Sequence, residues 1–264
     1  MKIILTSDLH YGCAPNNANK LNKFFQKLAN TVKEEKVDLV ILAGDLASTR
    51  QRQFKKCLEL ANTLLPCNIA VVRGNHDLWD GEDRKDDRAN CRTYAEMDNE
   101  QKAFMKTLGI HHLEEGPMEF DDVLICGFDG WYGNANPPTN DKYWMPQTHE
   151  GCPIMTYLSN RAWKYFDKCL ELDTSKYRKS VIVTHFNPYI FGKGYRGYVP
   201  DPEIDFLMSA NPKFLDEIRG KFDVLCCGHT HAFKDDIDES GDKPLRILNS
   251  GSDYNQPKYL LFEV

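Results

Sequence analysis

The chain has 264 residues, 41% of them apolar and 27% charged, with a net charge of −6. That length and balance describe a globular protein able to bury a sizeable core and exclude a disordered chain. The acidic balance argues against a surface covered in nucleic-acid-binding patches, although it leaves room for a local basic channel. The nine cysteines include no Cys-x-x-Cys pair, which is the usage of a reducing compartment. The leading apolar run is too short for a signal peptide, and no segment approaches the ~20 apolar residues of a membrane span. The expected location is the cytoplasm.

The first apolar run, at 3–5, ends at Ser7-Asp8 and reads as a buried strand. Leu21, Phe24, Phe25, Leu28 and Val32 recur at helical spacing. A second strand is expected over 37–43, ending at Gly44-Asp45. Phe54 to Leu65 traces another helical face, stopped by Pro66. The strand 68–72 leads directly into Arg73-Gly74-Asn75-His76-Asp77. Asp8 to Asp45 spans 37 positions and Asp45 to Asn75 spans 30, each close to one strand-helix-strand crossover of ~30 residues. The first third therefore reads as βαβαβ with a parallel sheet.

A mixed-sign charge run at 80–88 reads as a solvated loop. A helix is expected from Tyr94 to Leu108 and a strand over 123–127. Next comes an irregular, Pro/Asn/aromatic-rich insertion at about 129–153, then a helix through Leu158, Phe166 and Leu170. A strand over 180–184 ends at His185, and a second irregular insertion runs from about 187 to 205. Pro212 opens a short helix, a strand over 222–227 ends at Gly228-His229-Thr230-His231, and strands at 246–248 and 259–262 close the chain. With no repeat or linker, residues 1–264 read as a single α/β domain.

Five strand-ends are thus each followed by metal-ligating residue types: Asp8 with His10, Asp45, Asn75 with His76, His185, and His229 with His231. In open α/β sheets ligands gather at the carboxyl ends of strands, so these distant residues are expected to converge. If the backbone there is extended, the i, i+2 pairs Asp8/His10 and His229/His231 each point one way. Carboxylate, amide and imidazole donors together suit Mn, Fe, Zn or Ni rather than Ca. The set exceeds what one ion needs. Two ions, with Asp45 as the natural bridge, would activate a shared water and clamp the oxygens of an in-line phosphoryl displacement.

Asp8-Leu9-His10, Gly44-Asp45, Gly74-Asn75-His76-Asp77, His185 and Gly228-His229-Thr230-His231 resemble, in order, the five blocks of the calcineurin-like metallophosphoesterases. The resemblance implies a four-layer αββα sandwich of two mixed sheets. It implies that Asp8, His10 and His231 hold one ion, that Asn75, His185 and His229 hold a second, and that Asp45 bridges them. It further implies that His76 contacts the phosphate and assists the leaving oxygen, with Asp77 orienting His76. Mn²⁺ is the expected metal, with Fe, Zn or Ni as alternatives. The expected reaction is hydrolysis of a phosphate mono- or diester, on a phosphorylated small molecule or nucleotide, through a hydroxide bridging the ions.

Departures from better-known branches narrow this. Phosphoprotein phosphatases carry Asp-x-His-Gly and Asn-His-Glu, where this chain has Tyr11 and Asp77, and lipid-A-precursor pyrophosphatases carry Arg in place of His76. Repair exonucleases append a further domain, whereas 33 residues follow His231 here. The pattern looks most like generic bacterial and phage phosphoesterases. The alternatives are a nuclease acting on DNA or RNA, not favoured by the acidic balance, and a non-catalytic scaffold of the same fold. Trp131, Tyr132, Lys193 and Arg196 are candidate substrate contacts, whereas Arg73 is expected to pair with a structural carboxylate.

Overall fold

Each long apolar run forms a strand whose two faces are both covered, which is why it reads as continuous rather than alternating. The computed structural model describes residues 1–80, 93–132, 141, 144–145, 148–187 and 212–264. In chain order these form β1 (Lys2–Thr6), α1 (Asn17–Glu35), β2 (Leu39–Ala43), α2 (Gln51–Leu64), β3 (Asn68–Val72), α3 (Tyr94–Thr107), β4 (His111–His112), β5 (Met118–Phe120) and β6 (Val123–Phe128). They continue with the hairpin β7 (Thr148–His149) and β8 (Cys152–Pro153), α4 (Ile154–Glu171), β9 (Lys179–Thr184), α5 (Pro212–Ile218), β10 (Val224–Cys227), β11 (Lys234–Asp238), β12 (Leu245–Asn249) and β13 (Leu260–Glu263).

Two mixed sheets result, in the orders β13-β1-β2-β3-β4 and β11-β12-β10-β9-β6-β5. In the first, β1 through β4 run parallel and β13 antiparallel. In the second, β6, β9, β10 and β12 run parallel, flanked by antiparallel β5 and β11. Side chains two apart share a face. Ile3, Leu5, Leu39, Ile41, Ala70 and Val72 accordingly meet Val123, Ile125, Val181, Val183, Val224 and Cys226 in the core between the sheets. The alternate residues Ile4, Val40, Leu42, Ile69 and Val71 face Leu21, Phe25 and Leu28 of α1 and Phe54 and Leu58 of α2. On the far side Cys126, Ile182, Leu225 and Ile247 pack on Phe166 of α4 and Ile218 of α5. The layers are therefore α, β, β, α, as the resemblance implied. Among the described residues, no helix is long and apolar enough to cross a membrane.

Candidate metal centre

The ends of β1 and β2 do not separate where the sheet stops. Asp8 N donates to Gly44 O, His10 N to Asp45 O and Tyr11 N to Leu46 O, at 2.8–2.9 Å, so the two loops run on as a zipped pair. The expected extended backbone is absent. Asp8, His10, Asp45, His229 and His231 all take positive φ, between 44° and 68°. The i, i+2 pairs thus converge through left-handed turns and not through strand alternation, a correction to the sequence reading. For residues with a Cβ such conformations cost roughly 1–3 kcal/mol each and persist where the surroundings over-determine them. Two glycines make the approach possible: a Cβ on Gly44, itself at φ +85°, would strike His185, and one on Gly74 would strike Asp45.

The side chains expected as metal ligands are brought together, Asp8, His10, Asp45, Asn75 and His185 buried and His229 and His231 half-buried. Ligand atoms of Asp8, His10 and His231 lie within 4.8 Å of one another, as do those of Asp45, His185 and His229. His10 Nε2 is 3.3 Å from His231 Nε2 and 3.8 Å from Asp45 Oδ2, linking the two groups, while His185 Nε2 is 3.4 Å from Asp45 Oδ1. Asn75 Oδ1, His185 Nε2 and His229 Nε2 are buried without a hydrogen-bond partner. Buried polar atoms of this kind are ordinarily satisfied by an ordered water or an ion, and these three share one cluster of ligand residue types. The opposite ring nitrogens are fixed. His185 Nδ1 donates to Ala43 O at 2.8 Å and His231 Nδ1 to Asp253 Oδ1 at 2.8 Å, turning Nε2 inward as metal-bound histidines require. Burial holds the His10 and His229 pKa values well below the imidazole norm, so both rings are neutral donors. Burial also opposes charge on Asp45, but the surrounding imidazoles, His185 first, outweigh it and hold the carboxylate well below its usual range. The donor set fits divalent ions.

His76 lies beside this cluster, its ring 4.6 Å from that of His10 and stacked 3.7 Å from Trp79. Its expected partner is not Asp77. His76 Nδ1 donates to the carbonyl of Ser48 at 2.6 Å, whereas the Asp77 carboxylate accepts from Ala47 N at 2.8 Å and Gly74 N at 2.9 Å. Asp77 is one residue along a 3₁₀ turn from His76, and its side chain turns inward, where it fastens the β2 and β3 loops together. It is a loop-positioning residue.

Trp131 and Tyr132, expected to line substrate, are 2% and 1% exposed and pack against Phe186, Ile154 and Leu158. Insertion of α4 beside the β6 end covers them. Tyr132 instead donates to Asp141 Oδ2 at 2.9 Å, and Asp141 Oδ1 accepts from Asn75 Nδ2 at 2.9 Å and Trp79 Nε1 at 2.8 Å. Asp141 thereby fixes which way the Asn75 amide points. Lys193 and Arg196 lie outside the described residues. Sequence reasoning missed Asp141, which sits in a stretch without periodicity. It also missed Asp253, although Asn249-Ser250-Gly251-Ser252-Asp253 repeats the strand-end pattern after the apolar run of β12.

Arg73 is fully buried and pairs with Asp129 and Asp98 at 2.7 Å each, as the sequence suggested. His112 and Arg161 also meet Asp129, and Arg161 pairs with Glu114. The trio His112, Glu114 and Asp129 has ligand-like spacing, but the two guanidinium groups already fill it. Asp129 O accepts from His185 N at 3.2 Å, so this ion network anchors one proposed ligand directly and precedes another, Asn75, by two residues.

Solved structures share this fold. The phosphopantetheinyl hydrolase of Mycobacterium tuberculosis is 16% identical over 96% of this chain and 90% of its own, with a TM-score of 0.68. A dimetal phosphatase from Danio rerio is 13% identical over 97% and 88%, with a TM-score of 0.57. The NAD nucleotidase of Haemophilus influenzae is 13% identical, covering all of this chain but 47% of its own length, with a TM-score of 0.52. At these identities the likeness is one of fold. No curated protein sequence matches the chain. The family model described as calcineurin-like phosphoesterase matches residues 1–233, and the chain belongs to that family.

Proposed function

We propose that the chain is a dinuclear-metal phosphohydrolase acting on a phosphate mono- or diester. The observation that carries this reading is the gathering of the ligand atoms of Asp8, His10 and His231 and of Asp45, His185 and His229 into two groups, with Asn75 Oδ1, His185 Nε2 and His229 Nε2 buried and without hydrogen-bond partners. Asp8, His10 and His231 would hold one ion, Asn75, His185 and His229 the other, with Asp45 shared. Mn²⁺ is the proposed metal, Fe, Zn or Ni being alternatives of similar donor preference. Bound ions of this kind supply an activated water and neutralise charge on the phosphoryl oxygens.

The chain's own residues do the rest. Asp253 and the Ala43 carbonyl keep the His231 and His185 rings turned inward, and Asp141 keeps the Asn75 oxygen inward. His76, with Nδ1 tied to Ser48, presents Nε2 to the leaving oxygen and can hold or deliver a proton there. The names of the similar structures, a phosphopantetheinyl hydrolase, a dimetal phosphatase and a nucleotidase, support a phosphorylated small molecule or nucleotide as substrate class. A panel of phosphate mono- and diesters assayed with Mn²⁺ tests this. Hydrolysis of at least one ester class, abolished in Asp45→Asn, is expected. A panel wholly inert, from protein that carries its metal, would favour a binding scaffold.

A further inference from the structure

Four exposed lysines, Lys20, Lys23 and Lys27 of α1 and Lys258 before β13, line one groove of about 610 Å³ floored by Phe24 and Tyr259. Among the described residues none of the four joins an ion pair, and no lining residue is acidic. This is unusual in a chain of net charge −6. The groove on the other flank of α1 carries Lys56 with Glu59 and is balanced. Like charges gathered in a concave surface repel one another and raise the local concentration of anions.

The groove is tied to the metal cluster by one loop. Thr6 Oγ1 donates to Lys258 O at 2.7 Å, two residues, or about 7 Å of strand, before Asp8. Asn17, the first residue of α1, donates to Asn255 of the same loop at 3.2 Å. From there Lys20 to Lys27 extends about 10 Å along the helix. Four residues before Lys258 on the same loop, Tyr254 stacks its ring 4.1 Å from that of His10 and meets that of His76 edge-on at 6.5 Å, yet is 41% exposed. A cationic track beside an exposed aromatic ring at the edge of a phosphate site suits a ligand that repeats both phosphates and flat rings.

We propose that this groove binds single-stranded nucleic acid, with the strand's phosphates along Lys20, Lys23, Lys27 and Lys258 and a base on Tyr254. The inference rests on the phosphoesterase reading for what happens at the cluster, but binding is measurable apart from hydrolysis. Anisotropy of a fluorescein-labelled oligothymidylate, titrated with purified protein across a salt series, gives the test. Each lysine-phosphate contact contributes about 0.7 to the log–log salt slope of a single strand. Lys20→Gln/Lys23→Gln/Lys27→Gln should therefore flatten the slope by about 2, with melting temperature and metal content retained. If that triple variant melts early, Lys23→Gln/Lys258→Gln replaces it, with an expected flattening of about 1.4. Tyr254→Ala should weaken binding roughly five- to a hundred-fold at unchanged slope, and Tyr254→Phe should restore it.

No saturable binding, or equal binding by the lysine variants, overturns the proposal. So does inorganic polyphosphate of matched charge competing as well as the oligonucleotide while Tyr254→Ala has no effect, since the groove would then take any polyanion. Hydrolysis of an aryl phosphodiester is read in the same samples. Its absence counts against the phosphoesterase reading, whereas loss of oligonucleotide binding alone counts against the groove.

Discussion

His76, His185 and His231 each have Nδ1 committed, to Ser48 O, Ala43 O and Asp253 respectively. What differs is what Nε2 faces. For His185 it faces Asp45, and although burial opposes a charged ring, that carboxylate raises the His185 pKa to about 9. In the metal-free protein the ring is therefore protonated at pH 7, and a cation must displace that proton to use Nε2. Metal affinity should rise with pH up to about 9. Titration calorimetry of metal into metal-free protein at pH 7, in buffers of different ionisation enthalpy, should show proton release. No release would mean that His185 is not displaced. His76 is different, because its exchange should leave the ligands in place. His76→Ala should lower turnover by about 10²- to 10⁴-fold, the usual contribution of a positioned acid, with metal content by elemental analysis unchanged.

At the scale of elements, the site consists of loops fastened to one another. Asp77 joins the β2 and β3 loops through two buried N–H groups. Asp77→Ala would leave both unsatisfied, at about 1–3 kcal/mol each, and should lower both the melting temperature and metal affinity. A variant that lost turnover alone would restore Asp77 to a role at His76. Asp141 permits a sharper comparison. Asp141→Asn can still accept from Asn75 and Trp79 and should keep the full metal complement, whereas Asp141→Leu frees the Asn75 amide to turn and should lose the second ion selectively.

Element by element, legibility followed burial. β1, β2, β3, β9 and β10 are enclosed on both faces, so their runs were plain in the sequence. β11, Lys-Asp-Asp-Ile-Asp, is an edge strand held by pairing to β12 and carries no apolar pattern to read. β4 spans two histidines and is equally silent. The ligand residue types were legible because every one follows a buried strand. The left-handed backbone of Asp8, His10, Asp45, His229 and His231 was not, since Asp and His visit that region more often than most residues but still only rarely. The resemblance implies that Asp77 orients His76, but on their 3₁₀ turn the Asp77 carboxylate goes instead to Ala47 N and Gly74 N. Trp131 and Tyr132 look like pocket aromatics until α4 is seen to cover them.

Across the whole molecule, the two sheets meet at the cluster and are locked beneath it by the Arg73 network, which joins β3's end to β6's end and to α3 and α4. Arg73→Met would remove the guanidinium that Asp129 and Asp98 share, leaving Asp129 with only His112 and Arg161, and should destabilise the fold by up to about 3–5 kcal/mol, the cost of breaking a buried ion pair. Denaturant unfolding would register this, and a loss under 1 kcal/mol would show that the network is incidental. The central claim is that one carboxylate, Asp45, serves both halves of a two-ion site. Elemental analysis of the purified protein beside Asp45→Asn, paired with Mn²⁺-supported hydrolysis of an aryl phosphodiester, tests it most directly. The account predicts two ions per chain in the parent protein, with both occupancies and the hydrolysis lost together in the variant. Full occupancy and undiminished hydrolysis in Asp45→Asn would contradict it.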